Sequence, residues 1–567
     1  MENKTIARSL RLLSQLMDLH NENPFKIKAM ANAAFQVNKL PFALADSTLK
    51  EMEEVGGLGK STASKIYELI HTNSIKDMDD LLRQTPVGIV EMLQIKGIGP
   101  KKIQVIWKDL GIENTGELYY ACNENRLIEA KGFGLKTQEE IKKVIEFKMV
   151  SNGRFLYGKI EKFADLLISN LKNILKTEQI GFVGPYRRKC EIIDGIDILC
   201  GTEYSEDNLK AIEATGLIIK SHDTKSIEAQ SEGEIKIYIN FCSSQDFGSH
   251  LFKQTGSAEH VEQVETLLAG KSVFGKTENQ IYNLAGLQFI EPELRESENE
   301  VELAKNNKLP KLITFSDLKG SLHNHSTWSD GIHTLEEMAL FCRNDLKLEY
   351  LGICDHSKSA FYAKGLNEIR VDAQHREIDE LNKQLAPFKI FKGIESDILY
   401  DGSLDYSEEV LKTFDFVVAS VHSVLKMSEE KATERLIKAI ENPYTTILGH
   451  PTGRMLLTRS GYPIDHKKVI DACAAKNVVI EINANSLRLD LDWRWHQYAI
   501  SKGVMLSVNP DAHRRDGLLD MHYGVFVARK GGVSASDCLN SMNLQEIAAY
   551  FEKSKLKIQK IGSKETV

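Results

Sequence analysis

The chain has 567 residues, of which 42% are hydrophobic and 27% charged, a composition that excludes a disordered or fibrous protein and predicts about three or four domains. The net charge of −8 excludes a general polyanion-coating protein, so any contact with nucleic acid must be local. No apolar run approaches the roughly 18 residues that span a bilayer, the N-terminal segment is predicted to be an amphipathic helix, and the eight cysteines show no CxxC pair. We therefore expect a cytoplasmic protein with free thiols and no membrane partner.

Three segments of the first 150 residues share one pattern, in which Gly-apolar-Gly opens a predicted helix and basic residues lie close by. They are Gly57-Leu58-Gly59-Lys60, Gly97-Ile98-Gly99-Pro100-Lys101-Lys102 after Lys96, and Gly132-Phe133-Gly134 after Lys131. Glycine permits a turn with positive φ, and the helix that follows presents free N–H groups and its positive dipole end to an anion. Such a turn holds one backbone phosphate without reading a base. The segments resemble helix-hairpin-helix motifs, which implies DNA contacts by these glycines and lysines; the alternative is that each Gly-x-Gly only links two helices.

Residues 151–296 are predicted to mix helices and strands, with a strand that ends in a turn over 180–188 and another strand at 193–199. This part resembles the nucleotidyltransferase palm of family X DNA polymerases, whose pattern is Gly-Ser-x-Arg-Arg, a short gap and then Asp-x-Asp. Residues 274–278 to 291–296 resemble the end of that family's thumb. The resemblance implies a nucleotide pocket, here degenerate, at Gly184, Arg188, Thr255, Gly256 and Ser257.

The carboxylates that a palm needs for two Mg²⁺ ions are largely missing. The chemistry requires two on one strand face and a third from the neighbouring strand. Here the first position is Gly195, the second is Asp197 and the third is Tyr238, while Asp194 is expected on the opposite face. Pro185 stands where the phosphate-binding serine belongs. We therefore expect a vestigial catalytic Asp197, no Mg²⁺ at the palm and no polymerase activity.

Lys65 resembles the Schiff-base lysine of the sugar-phosphate lyases in this family. Activation of a lysine requires burial or a neighbouring cation. A solvated lysine on a helix face is the simpler interpretation of this residue.

Strands and helices alternate from residue 319 almost to the end. The predicted strands are Lys319–His323, Tyr350–Cys354, Phe391–Ile394, Phe416–Val421, Thr445–Leu448, Val478–Ile482 and Val504–Val508. Amphipathic helices, such as 433–441 and 467–476, lie between them. This order predicts a parallel sheet closed as a barrel.

Metal-ligand residue types follow the carboxyl ends of these strands. They are His323, His325, Asp330, His356, Glu395, His422, His450, Asp511 and His513. Sites in such barrels are built at this rim, and so many imidazoles and carboxylates at recurring strand ends predict a multinuclear metal site. Asp355 at the same rim is a further candidate catalytic residue. Arg454 and Arg514 are candidate phosphate clamps, with an ordinary surface role as the alternative.

Residues 316–515 resemble the polymerase and histidinol phosphatase (PHP) domain, through motifs such as Ser321-Leu322-His323-Asn324-His325 and Leu448-Gly449-His450-Pro451. The resemblance implies three metal sites that share these ligands. The first comprises His323, His325, Glu395 and Asp511, the second comprises Glu395, His422 and His450, and the third comprises Asp330, His356 and His513. Nitrogen and oxygen ligands accept Mn²⁺, Zn²⁺ or Fe²⁺.

These patterns predict a multidomain α+β and α/β protein. We expect an N-terminal helical domain with a helix-hairpin-helix at 1–85, a fingers-like helix-hairpin-helix region at 86–150, a degenerate palm and thumb at 151–296, a linker at 297–315, and a distorted (β/α) PHP barrel at 316–567.

The order of these parts resembles bacterial family X DNA polymerases. That resemblance implies a DNA-repair protein that acts on gapped or 3′-ended duplex as a 3′–5′ exonuclease with two or three divalent ions. The alternatives are an active gap-filling polymerase with accessory exonuclease, a small-molecule phosphatase of the histidinol-phosphatase type, and a non-catalytic DNA-binding scaffold.

Overall fold

The contacts within this computed structural model divide the chain into two units, Met1–Phe147 and Lys148–Val567. The structure describes residues 1–562 except 96, 129, 151–152 and 271–276, and it describes side chains in these ranges except at 147–150 and 556–562. Lys96 and the thumb-like residues 274–276 therefore lie outside the described residues. No helix among those described is long and apolar enough to cross a bilayer.

The first unit is helical. Its helices are α1 (Asn3–Leu19), α2 (Pro24–Val37), α3 (Leu49–Glu54), α4 (Lys60–Thr72), α5 (Lys76–Gln84), α6 (Val87–Met92), α7 (Pro100–Gln104), α8 (Thr115–Asn123) and α9 (Leu135–Val150), with a π-helical turn at Val105–Asp109. Buried Ile6, Leu10, Leu13 and Met17 recur every three or four residues along α1, so they form one apolar stripe. That stripe shares a core with residues from α2 and α4.

The second unit begins with a five-stranded mixed sheet. Its elements are β1 (Phe155–Leu156), α10 (Tyr157–Leu175), β2 (Ile180–Val183), α11 (Gly184–Arg187), β3 (Ile192–Ile193), β4 (Ile196–Cys200), α12 (Glu206–Glu213), β5 (Ile218–His222), β6 (Ser226–Gln230), β7 (Lys236–Phe241), α13 (Phe247–Thr255), α14 (Ala258–Leu267) and α15 (Glu278–Leu284). The strand order is β2-β4-β7-β6-β5, and β1 pairs separately with β3. Alternate residues of β7, such as Ile237 and Ile239, are fully buried, so Tyr238 lies on the opposite face.

The predicted strand at 193–199 is wrong in one respect that matters for the palm. Ile193 ends β3, and β4 begins only at Ile196, so Asp194 and Gly195 lie between two different pairings. Asp194 is 82% exposed and lies 3.7 Å from Arg154. Asp194 therefore does not restore the missing carboxylate.

The segment 297–315, for which the sequence predicts a linker, contains a further helix, α16 (Glu300–Lys305). Val301 and Ala304 of this helix are buried in one apolar cluster with Phe252 and Tyr282. Glu302 and Lys305 lie on the exposed side of the helix, whereas Glu300 is buried against His260. The domain boundaries predicted from the sequence, at 85/86, 150/151, 296/297 and 315/316, remain predictions.

The remainder is a seven-stranded parallel barrel. Its elements are β8 (Gly320–Ser321), α17 (Leu335–Asn344), β9 (Tyr350–Ile353), α18 (Glu368–Leu385), β10 (Lys389–Asp397), α19 (Glu408–Leu411), β11 (Phe416–Ser420), α20 (Glu429–Glu441), β12 (Ile447–Leu448), α21 (His466–Lys476), β13 (Val479–Asn483), α22 (His496–Ser501), β14 (Leu506–Asn509), α23 (Met521–Lys530) and α24 (Leu544–Gly562). Neighbouring strands follow one another in sequence from β8 to β14. A parallel bridge between Asn324 and Ala512 joins the two edges.

The barrel fills its two ends differently. Phe551 of α24 stacks on Phe416 with ring centroids 5.0 Å apart, and it meets Phe391 at 5.2 Å. The amino ends of the strands are therefore closed by apolar packing. The carboxyl ends of the strands carry polar side chains instead. The parallel strand order and the bridge between the sheet edges confirm the predicted barrel.

Candidate metal centre

The nine predicted ligand residues all lie at the carboxyl ends of the barrel strands, where the structure brings them into one buried cluster. Their imidazoles and carboxylates are at most 7% exposed. Two of them sit on strained backbone, with φ of +52° at Asp511 and +22° at His450. Residues other than glycine adopt positive φ at a cost, and such strain concentrates at functional sites.

Glu395, a buried carboxylate near the carboxyl end of β10, lies at the centre of the cluster. Its Oε1 is 3.3 Å from His323 Nε2, 3.1 Å from His422 Nε2 and 3.0 Å from His450 Nε2. Its Oε2 is 3.0 Å from His356 Nδ1 and 3.7 Å from His325 Nε2. One carboxylate therefore faces five imidazoles, which suits a bridging ligand.

The other two carboxylates contact four of the imidazoles, three of which also face Glu395. Asp511 Oδ1 lies 3.1 Å from His325 Nε2 and 3.7 Å from His323 Nε2. Asp330 lies 3.5 Å from His356 Nε2 and 3.4 Å from His513 Nε2.

Three groups of ligand atoms come close enough to share an ion. They are His325, Asp330, His356 and His513; His323, His325 and Asp511; and His356, Glu395 and His422. All three differ from the sets implied by resemblance. The first adds His325, the second lacks Glu395, and in the third His356 stands in place of His450, although His450 contacts the same oxygen of Glu395 as His422 does.

Mutual electrostatics hold this cluster together when no ion is bound. Burial alone would raise the pKa of Glu395, but His422, His323 and His356 hold it well below its usual value. Burial by itself would lower the pKa of His422. The nearby carboxylates of Glu395 and Asp397 have the larger effect and raise that pKa to about 9. Several charged groups are thus buried together away from water. Their desolvation costs folding free energy, and bound cations would offset that cost.

The residues present fit divalent ions. His323 Nε2, Glu395 Oε2 and both ring nitrogens of His356 are buried without a hydrogen bond. Ligand atoms of a tetrahedral ion with bonds of about 2.1 Å lie about 3.4 Å apart, and the contacts above, from 3.0 to 3.7 Å, bracket that separation. Ligands of nitrogen and oxygen alone favour Mn²⁺, Zn²⁺ or Fe²⁺.

A surrounding layer of polar groups, absent from the sequence-based prediction, orients these ligands. Glu481 accepts hydrogen bonds from His323 Nδ1 at 2.7 Å and from the backbone N–H of His450 at 2.8 Å. Asp397 contacts His422 Nδ1, and Asn483 donates to Asp511 at 3.2 Å. The signal was present, because Glu481 and Asn483 alternate within the otherwise apolar strand β13.

Asp355, predicted to be catalytic, has a different place. Its carboxylate accepts hydrogen bonds from the backbone and hydroxyl groups of Ser326 and Ser329 and from Gln374. Ser326 and Ser329 lie between the ligands His325 and Asp330. The structure therefore shows Asp355 as a residue that shapes the ligand loop.

Arg454 and Arg514 are also engaged. The guanidinium of Arg454 contacts Asp492 and the carbonyls of Arg488 and Leu489, and it lies 3.9 Å from Glu191. Arg514 lies 3.3 Å from Asp516. Arg454 thus joins two barrel loops to the palm.

Of the three palm positions that the family pattern gives to carboxylates, Asp197 holds the one carboxylate. Asp197 pairs with Tyr238 across β4 and β7, so Tyr238 stands beside it where the third carboxylate is expected. A Cβ on Gly195 would lie 3.4 Å from the ring of Tyr238. Burial raises the pKa of Asp197, and Arg188 only partly opposes that effect.

The degenerate nucleotide pocket is filled by its own side chains. Arg188 donates to Glu296 at 3.0 Å and to the Thr255 carbonyl at 2.8 Å. Gly256 packs so closely that an added Cβ would lie 2.8 Å from His260. Ser257 caps α14 through its hydroxyl. Gly184, at φ +62°, has the Asp197 carboxylate against it.

The helix-hairpin-helix turns have the conformation that the sequence predicts. The first glycine of each, Gly57, Gly97 and Gly132, has φ between +87° and +94°. Gly59 and Gly99 have ordinary φ and cap α4 and α7, and no atom outside the neighbouring residues would meet a Cβ on Gly59, Gly99 or Gly134. Internal packing therefore does not require glycine at these second positions, and the absence of a side chain leaves their backbone open to close approach.

The basic residues near these turns are accessible. Lys60 and Lys101 are exposed, Lys101 lies 3.1 Å from Asp18, and Lys102 lies 5.4 Å from the ring of Phe133. Lys65, by contrast, is 19% exposed and pairs with Asp77.

Comparison with family models supports this assignment of the first unit. Residues 1–75 match a helix-hairpin-helix domain, and residues 89–146 match a SAM-like helix-hairpin-helix tandem.

Curated relatives cover both the whole chain and its barrel. A Thermoanaerobacter protein named a probable phosphatase is 32% identical over 188 residues, which are 31% of this chain and 74% of that protein, and such relatives match the C-terminal part. A Bacillus subtilis protein named DNA polymerase/3′-5′ exonuclease PolX is 33% identical over 573 residues, which cover 98% of this chain and 100% of that protein. The chain therefore belongs to the bacterial family X DNA polymerases.

Proposed function

We propose that this protein is a DNA-repair exonuclease that removes nucleotides from 3′ ends at the barrel, and that its palm no longer polymerises. One observation carries the proposal: nine buried ligand side chains converge at the barrel rim, whereas Asp197 faces Tyr238 and Gly195 at the palm. The Bacillus relative's name includes both activities, so the loss of one is the specific claim.

The barrel residues would hold two or three divalent ions, with Glu395 shared between them. Divalent ions held by these residues would supply a nucleophilic hydroxide near neutral pH and would offset negative charge on a phosphate. Glu481 and Asp397 fix the ring orientations of His323 and His422 through their Nδ1 atoms, so that each Nε2 faces the cluster. Asp355 holds the loop that carries His325 and Asp330.

The palm residues argue against nucleotide addition. Two Mg²⁺ ions about 3.5–4 Å apart need several carboxylates to offset their charge. Asp197 offers one, and burial favours its neutral form. Arg188, which would contact a triphosphate, is engaged by Glu296, and Glu296 is in turn engaged by Lys530 of α23. This palm thus serves as a scaffold attached to the barrel.

The first unit supplies the DNA affinity in this proposal. Its three hairpin turns present glycine backbone and nearby basic side chains, and such contacts hold phosphates without sequence preference. A small-molecule phosphatase has no need of them. Gapped or 3′-ended duplex is the substrate we propose.

The experiment uses a gapped duplex with a 5′-labelled primer, Mn²⁺ and no nucleotides. We expect the parent to shorten the primer stepwise from its 3′ end and to release nucleoside monophosphates. His323→Ala should abolish shortening while leaving DNA binding intact, because His323 belongs to the metal cluster.

Asp197→Ala is the matched control, since Asp197 lies at the palm. If shortening persists in His323→Ala and disappears in Asp197→Ala, hydrolysis takes place at the palm and not at the barrel, which contradicts the proposal. An intact primer with the parent protein at every divalent ion tested would overturn the exonuclease.

A further inference from the structure

The rim of the barrel divides into two arcs. The loops after β12 and β13 pack against the palm: Arg454 approaches Glu191, and Ser486 lies so close to Gly158 that a Cβ there would be 3.0 Å from it. The loops after β8, β9, β10, β11 and β14 form the other arc, which is continuous because Asn324 and Ala512 join the barrel edges.

The exposed apolar side chains of the barrel all lie on this second arc. Within the described part of residues 316–555, the large apolar residues with high exposure are Ile332, Phe361, Ile369, Tyr400, Val424 and Leu519. Each lies between the carboxyl end of a strand and the first turn of the next helix. Single exposed apolar residues are ordinary on any surface. If these six were distributed at random, some would lie on the outer helices or at the opposite end of the barrel.

These residues follow the metal ligands closely along the chain. Ile332 and Val424 come two residues after the ligands Asp330 and His422. Phe361 comes five residues after His356 and is 84% exposed. The ring of its neighbour Tyr362 lies 6.3 Å from the ring of His356. The apolar arc therefore borders the metal cluster.

The turn that carries Phe361 is held firmly, so its exposure is not a consequence of a loose loop. Tyr406 Oη donates to the Leu366 carbonyl at one end of the loop. At the other end, Asp405 accepts from the Ser359 backbone N–H at 2.6 Å. A Cβ on Gly365 would lie 1.9 Å from the Ser357 carbonyl oxygen, which shows how tightly the loop closes.

Basic side chains accompany the apolar ones. Lys358, Lys364, Lys426, Arg514 and Arg515 lie on the same loops, together with the acidic residues Glu368, Asp401, Asp405, Asp516 and Asp520. Lys358 pairs with Glu368 and Arg514 with Asp516, both near the surface. The exposed apolar side chains suit the faces of nucleic-acid bases, and single basic side chains between them can each meet a phosphate, because every nucleotide carries one base and one phosphate.

We propose that this arc is a base-contacting rim for the DNA strand that enters the metal centre, with Phe361 stacking on one of the last two bases. The inference rests on the proposed exonuclease and adds a binding site to it. Aromatic stacking on a base tolerates any sequence, because every base has a π face. The rim therefore strengthens binding of a 3′ end without selecting among sequences.

The test compares two single-stranded oligonucleotides, one normal and one in which the last two nucleotides are abasic. With the normal oligonucleotide and Mn²⁺, Phe361→Ala should raise KM about tenfold. With the abasic one it should change nothing, since no base remains to stack. Phe361→Tyr should behave as the parent, and Leu166→Ala, an equally simple truncation of an exposed side chain on α10, should have no effect on either.

A second readout does not depend on hydrolysis. A 2-aminopurine base near the 3′ end of a phosphorothioate oligonucleotide should lose fluorescence on binding the parent, and Phe361→Ala should reduce that quenching. If the parent cleaves no DNA, the exonuclease proposal fails, and the fluorescence quenching alone then tests whether the rim contacts bases. Equal effects of Phe361→Ala on normal and abasic oligonucleotides, or no effect on either with unchanged quenching, would overturn the proposal and indicate another partner for the arc.

Discussion

Replacing Glu481 by glutamine should weaken metal binding although Glu481 itself lies outside the ligand groups. Four donors meet its carboxylate: His323 Nδ1 at 2.7 Å, the His450 backbone N–H at 2.8 Å, Asn509 Nδ2 at 3.1 Å and Asn483 Nδ2 at 3.3 Å. An amide of the same shape must turn its NH₂ group towards two of them. Glutamine therefore loses charge and creates a donor–donor conflict at once.

The size of the effect follows from the bond to His323. A hydrogen bond to a charged group contributes about 1.5–3 kcal/mol, and loss of a partner behind a metal-binding histidine typically costs about 10- to 100-fold in affinity. Elemental analysis and competition with a chelator would measure it. Glu434→Gln, at a carboxylate 74% exposed on α20, is the control for the same chemical change. Metal content and chelator competition identical to those of the parent would refute the positioning role.

Three further predictions concern other parts of the molecule. Glu395→Ala should remove more than one ion per chain, since Glu395 contacts five imidazoles; unchanged metal content would contradict its bridging role. Joint replacement of Gly97 and Gly99 by Val should weaken DNA binding and DNA hydrolysis but spare a small phosphodiester, because Gly97 has φ +94°; equal DNA trimming at moderate salt would reduce that hairpin to a linker. Burial lowers the pKa of His496 from 6.5 to about 4, so its contribution to stability is lost as pH falls from about 6.5 towards 4, by about 3 kcal/mol at most. His496→Gln should reduce the fall in melting temperature over that range, and an identical fall would contradict the assignment.

The sequence predicted much of the barrel, because its signals are local. All seven strands lie where apolar runs end in polar residues, and the ligands follow those ends. The turn conformations of Gly57, Gly97 and Gly132 were predictable for the same reason, since a Gly-x-Gly before a helix constrains its own backbone.

Interactions between distant segments were not predictable. Asp355 is a catalytic candidate by its place at the barrel rim, but its partners Ser326, Ser329 and Gln374 could not be read from the sequence. Arg454 is separated by more than 250 residues from Glu191, which it approaches across the palm. Tertiary packing determines such contacts, and the spacing of residues along the chain does not predict them.

The break between β3 and β4 shows a third kind of limit. A continuous strand at 193–199 matches the apolar pattern, but Ile193 pairs with Phe155 while Asp197 pairs with Val183. Two different partners on either side of Asp194 and Gly195 divide the run. Strand pairing is a property of the sheet, so the pattern of one segment does not determine it.

The central claim, an active barrel with an inactive palm, is tested most directly by primer extension in the His323→Ala variant, where loss of the exonuclease unmasks any polymerisation. A gapped duplex with all four nucleotides and either Mg²⁺ or Mn²⁺ should give no primer growth, because Asp197 is the only carboxylate of the three expected palm positions. Robust growth in that variant, abolished by the further change Asp197→Ala, would contradict the account.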